Sequence, residues 1–165
     1  MSLTVVDEPP DRAEFTREAL RLVVDRIGQG RAELLSRVAA ASDAELARGT
    51  DDDWGLGQIA AHLLIVERGV LAIALRLARG EPAGQTGQPR PAVAYADRAK
   101  IVQLAERARD RMASFGAEFP AAPNTTATAR QPYYGEMNCY AWLLTLSLHY
   151  PAHLEALDRG TKSAL

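Results

Sequence analysis

At 165 residues the chain is long enough to bury a core of its own, and 47% hydrophobic against 24% charged residues is the balance of a soluble globular protein. A net charge of −2, with arginines scattered among acids and gathered into no stripe, excludes nucleic acid as the expected partner. One cysteine rules out an internal disulfide, "MSLTVVDEPPDR" lacks the pattern of a secretion signal, and the longest apolar run is read around "LTLSL", well short of the ~20 residues of a membrane span. The expectation is a cytoplasmic protein with no membrane partner.

Taken in chain order, the pattern gives one domain over residues 1–165 with four helices, roughly 12–40, 55–79, 94–119 and 136–158. Asp11 and Glu14 form a D-x-x-E capping box at the first start. Phe15, Ala19, Leu22, Val23, Ile27, Leu34 and Val38 then recur at helical spacing. Gly28 and Gly30 interrupt them at ~1 kcal/mol each against alanine, which marks a bend or weak point. In the second helix Ile59, Leu63, Val66, Val70, Ile73 and Leu77 make a heptad seam of the kind that packs bundles, and Gly80 stops it. The loop "GEPAGQTGQPRPAV" follows. Ile101, Leu104, Ala108, Met112, Phe115 and Phe119 mark the third helix. The fourth, after "PAAPNTTATARQPYYG", is apolar on more than one face and is expected to be the most buried. Strand signals are weak, with only "NTTATA" hinting at an extended piece. The fold class is therefore all-α, a four-helix bundle.

Two of the three histidines, His149 and His153, stand four residues apart in "LSLHYPAHLEAL" and so project from one face. Cys139, Trp142, Leu146, His149, His153 and Leu157 form a single stripe, which turns both imidazoles toward the interior, where an unpaired ring is costly. His62 flanks the seam of the second helix, beside Leu63, and Gln58 shares its face. Three imidazoles with open remaining positions suit a divalent metal: zinc or nickel first, with iron, cobalt or manganese as further candidates. Glu67 is rotated about 140° from His62 and Glu155 about 160° from His153, so both are expected to be solvated. Cys139 lies about 15 Å along the helix from His149 and reads as a small buried hydrophobe. The plainer alternative makes the histidines hydrogen-bonding residues of the core.

These residues resemble the DinB/YfiT-like metalloenzymes of bacteria, through "WGLGQIAAHL", with Trp54 and His62, and the H-x-x-x-H of "HYPAHLEAL". Helix order and total length match over nearly the whole chain. The resemblance implies a four-helix bundle, a homodimer, and a divalent metal held by His62, His149 and His153. Some relatives transfer or isomerise with a low-molecular-weight thiol as cosubstrate. Two departures stand out. The family's Ser or Thr after the tryptophan is Gly55 here, with Gln58 at the N3 position, and Pro151 interrupts the fourth helix at ~3 kcal/mol in an ordinary helix interior.

The reading that follows is a metal-dependent transferase or hydrolase acting on a small molecule. Its rival is a non-catalytic bundle holding a metal or a small apolar ligand. Tyr150 and Gln58 are read as packing or supporting groups. In a simple up-and-down bundle the second and fourth helices run parallel. His62, early in one, would then meet His149 and His153, late in the other, only through a lengthwise shift.

Overall fold

The computed structural model describes residues 11–86 and 96–160. They form α1 (Arg12–Ala40), α2 (Asp43–Leu46), α3 (Leu56–Ala78), α4 (Arg98–Glu118), β1 (Ala129–Gln131), β2 (Gly135–Met137) and α5 (Cys139–Arg159). Four of these helices make the expected bundle, and 70% of the described residues are helical.

Start and stop residues explain most boundaries. The Asp11 carboxylate caps α1 by accepting from the Ala13 N–H at 3.1 Å. Asp97 caps α4 through the Lys100 N–H, and Asn138 caps α5 through that of Ala141. Gly80 and Gly160 take φ of 75° and 60° just past α3 and α5, the left-handed turn that only glycine makes at no steric cost. The expected start of the third helix at Ala94 lies outside the described residues.

Several expectations need correction. Gly28 and Gly30 neither end nor break α1, which is continuous across both. The buried stripe of α1 is Thr16, Leu20, Ile27, Leu34 and Val38, whereas Phe15 and Leu22 are exposed. A short α2 follows, with a true capping box: Ser42 Oγ accepts from the Glu45 N–H, and the Glu45 carboxylate accepts from the Ser42 N–H. Its Leu46 is fully buried. The expected fourth helix begins three residues late because Gly135–Met137 pairs with Ala129–Gln131 as an antiparallel hairpin. Trp142 ties that hairpin to α5 by donating from Nε1 to the Ala129 carbonyl at 3.3 Å.

The most buried helix is α3, not α5. Sixteen of the 23 residues of α3 are buried against seven of 21 in α5. The seam residues are joined by Ala60, Ala61, Leu64, Leu71, Ala74 and Leu75, so α3 packs on nearly all sides. By length and composition α3 would also qualify as a membrane span, contrary to the expectation from sequence, but 72% of its apolar window is buried inside the bundle. Packing between helices accounts for that composition.

The order of directions is the finding that positions the site. Thr16, Gly30 and Arg37 of α1 lie against Tyr140, Tyr150 and Asp158 of α5, so these two run parallel. His62 of α3 meets His153, and Glu67 meets Tyr150, so α3 and α5 run antiparallel. Gly57 lies against Ala96, just ahead of α4, and Arg79 against Glu118, so α3 and α4 are parallel. The bundle is up, down, down, up. No lengthwise shift is needed: antiparallel packing brings the early part of α3 to the late part of α5.

Candidate metal centre

The first turn of α3 is built around glycine. A Cβ on Gly55 would stand 1.8 Å from the Arg48 carbonyl oxygen, and one on Gly57 would stand 2.3 Å from that of Leu46. The end of α2 and the loop after it therefore press onto the helix start, where a Ser or Thr side chain has no room. Gln58, fully buried at the N3 position, supplies the reciprocal half of a capping box. Its Oε1 accepts from the Gly55 N–H at 3.2 Å and its Nε2 donates to the Thr50 carbonyl at 3.0 Å. Gln58 thus supports the loop that carries Trp54, whose indole leans on His62 with ring centroids 5.1 Å apart.

One turn on, His62 is 1% exposed and its Nε2 lies 3.1 Å from Nε2 of His149. His153 completes a triangle, its ring centroid 5.1 Å from that of His62 and 4.6 Å from that of His149. One nitrogen from each ring falls within 4.8 Å of the other two. Metal–imidazole bonds of ~2.0–2.1 Å set tetrahedral ligand nitrogens roughly 3.3 Å apart, a spacing the closest pair already has. Among the described residues the cluster contains three imidazoles and no carboxylate.

Burial also fixes the protonation state a metal requires. Loss of water pushes His149 down to about 3, with the charges of His153 and His62 adding to it, and pushes His153 down to about 4, aided by His62. Both rings are neutral at pH 7 and can offer a lone pair. The donor set fits a divalent cation.

The DinB superfamily profile matches residues 26–157. The chain belongs to the DinB superfamily. A solved four-helix bundle protein, TT2238, is similar over 84% of this chain and 96% of its own, with a TM-score of 0.64 at 24% identity. That likeness supports the fold. No curated protein matches the chain.

The expected site residues fall into two groups. His62, His149 and His153 are brought together as anticipated. The expectation that Glu67 is solvated is wrong for this DinB protein, because its carboxylate is fully buried. It pairs with the Arg31 guanidinium of α1 and accepts from the Tyr150 hydroxyl at 2.6 Å. Burial raises its pKa, against the lowering effects of Tyr150 and Arg31. Glu155 is exposed as expected, 3.5 Å from Arg159. Cys139 is fully buried, its thiol turned to the Asn124 carbonyl, and burial pushes its pKa up, so it is no ready nucleophile.

Beside the histidines a cleft of about 930 Å³ opens between α3 and α5. Ile65, Val66, Val70 and Ile73 form one wall, and Trp142, Leu144, Leu148 and His149 form the other. The hairpin turn, Pro132 to Tyr134, covers one end. Of the three histidines only His149 reaches this wall.

Proposed function

We propose that the protein holds a divalent metal, zinc or nickel first, through His62, His149 and His153, and acts as a metal-dependent transferase or hydrolase on a small molecule. A low-molecular-weight thiol is the proposed cosubstrate of the transferase form. The observation that carries the reading is the convergence of three imidazoles, from two helices, within 4.8 Å. A divalent cation bound there supplies Lewis acidity that makes water or a thiol nucleophilic near neutral pH.

The chain's own residues do the rest. Trp54 and the surrounding core keep water from His62. His149 links the buried nitrogens to the cleft, and the cleft orients the substrate. Among the described residues of the cleft wall no side chain is a strong nucleophile, which supports water or a cosubstrate in that role.

Metal content tests the reading. The purified protein should carry about one equivalent, and His62→Ala should retain well under half of it. Equal metal in both would remove His62 as a ligand. Turnover of a thiol with an electrophile, before and after chelation, tests catalysis. Activity that survives complete metal removal would overturn the metal-dependent mechanism. Absence of turnover in metal-loaded protein would favour the second reading, a non-catalytic bundle that binds an apolar ligand in a cleft whose described lining carries no charged side chain. A cytoplasmic homodimer completes the proposal, supported by the lone reduced cysteine and by Phe15 and Leu22 exposed on α1.

A further inference from the structure

The cleft has a chemical character that the metal reading does not specify. Among the described residues lining it there is no Asp, Glu, Lys or Arg. Several of its polar groups are already engaged within the protein. Gln131 Oε1 accepts from the N–H groups of Tyr133 and Tyr134, Thr145 Oγ1 donates to the Trp142 carbonyl, and the Trp142 indole donates to Ala129. What remains to address a ligand is Gln85 and Thr86, the Gln131 amide nitrogen, the phenols of Tyr133 and Tyr134 near one end, and the edge of His149. An anion would lose its hydration there and meet no cationic side chain among the described lining residues, the proposed metal at His149 being the one positive charge at the cleft's edge. The volume falls within the range of small-molecule sites, roughly 300–1,000 Å³.

Gly69 is the second observation. It lies in the middle of α3, exposed and on the cleft wall, where glycine costs ~1 kcal/mol against alanine. A Cβ there would meet nothing within 4 Å, so neither packing nor backbone geometry excludes a side chain. Its effect is to keep the cleft floor open.

We infer that the cleft binds a neutral, largely apolar small molecule whose one polar end lies against His149. The inference rests on the metal reading only for the placing of that end.

The test uses two fluorescent probes of similar shape, neutral N-phenyl-1-naphthylamine and its sulfonated analogue 8-anilinonaphthalene-1-sulfonate, titrated into the protein loaded with cobalt. The neutral probe should bind at least about tenfold more tightly. Gly69→Phe should weaken it by a similar factor, Gly69→Ala by less than about twofold, and both should leave the visible absorption of bound cobalt unchanged. Leu148→Asp, at an exposed position on the facing wall, should weaken the neutral probe too, and it serves if Gly69→Phe does not fold. Equal or tighter binding of the sulfonate would overturn the inference. So would neutral binding that survives both substitutions in folded protein, or a change in sedimentation on Gly69→Phe with probe binding intact, which would make the cleft a face between two copies. Probe selectivity as described, in protein that takes up no cobalt, would support the cleft while sinking the metal reading alone.

Discussion

Glu67 is five positions after His62 and faces the other way, into the gap where α1 and α5 meet. A fully buried carboxylate needs more than one partner, and it has both a guanidinium and a phenol. Tyr150 is the residue next to His149, so the bond to Glu67 also fixes the rotation of α5 where the histidines leave it. Tyr150→Phe should therefore cost about 1–3 kcal/mol in urea denaturation and weaken metal binding, because it leaves a buried acceptor short of a donor. Unchanged stability would mean that the network is not a fixed part of the core. In metal-free protein the unfolded imidazoles take protons near 6.5, whereas folded His149 and His153 resist until about 3 and about 4. Between those values the unfolded chain holds more protons, so stability rises with pH and is lost as pH falls below about 6.5. Glu67, raised by burial, acts in the opposite sense at acid pH. The melting temperature of the metal-free protein should drop between pH 7 and pH 4, and drop less in His149→Gln. The histidines were legible in the sequence because i, i+4 spacing on an apolar stripe is a local signal. Glu67 was not, because its partners lie 36 and 83 residues away.

Two glycines one half-turn apart in α1 show how an element takes its shape from neighbours. A Cβ on Gly30 would stand 2.6 Å from Cβ of Tyr150, whereas one on Gly28 would meet nothing within 4 Å. Gly30→Ala should destabilise by about 1–3 kcal/mol through overpacking, and Gly28→Ala should stabilise by about 0.5–1 kcal/mol. Chemical denaturation of the pair checks this, and the same sign for both would refute the close approach of α1 and α5. The sequence marks both glycines as a single weak point, since propensity cannot distinguish a glycine that admits a tyrosine from one that does not. Boundaries set by caps, at Asp11 and Gly80, were readable. The α2 turn and the hairpin were not. Four residues leave no periodicity, and "ARQ" and "GEM" carry no β-branched alternation to announce strands. Pro151 sits within an unbroken α5, where Ser147 loses the backbone donor that a helix would ordinarily supply.

At the scale of the molecule, the core draws on more helices than the two that carry the histidines. Ile27 and Leu34 of α1 and Ile101 and Phe115 of α4 are fully buried. Chelation should accordingly leave the helical circular-dichroism signal largely intact while lowering the melting temperature, because the folded state loses the free energy of binding the ion. Wholesale loss of helix would instead identify a structural metal. Heptads and loops made the bundle legible, but not its directions, since each amphipathic stripe is equally satisfied by a parallel or antiparallel neighbour. The direction order has a kinetic consequence. The first and last helices are adjacent, and their side-chain bonds join residues 124 and 121 positions apart. Closing so large a ring adds only ~0.6 kcal/mol per doubling of length, so the burden falls on the speed of folding more than on the final free energy. The cation site depends on a different long-range meeting: its three imidazoles come together only once α5 has docked on α3, His149 lying 87 positions after His62.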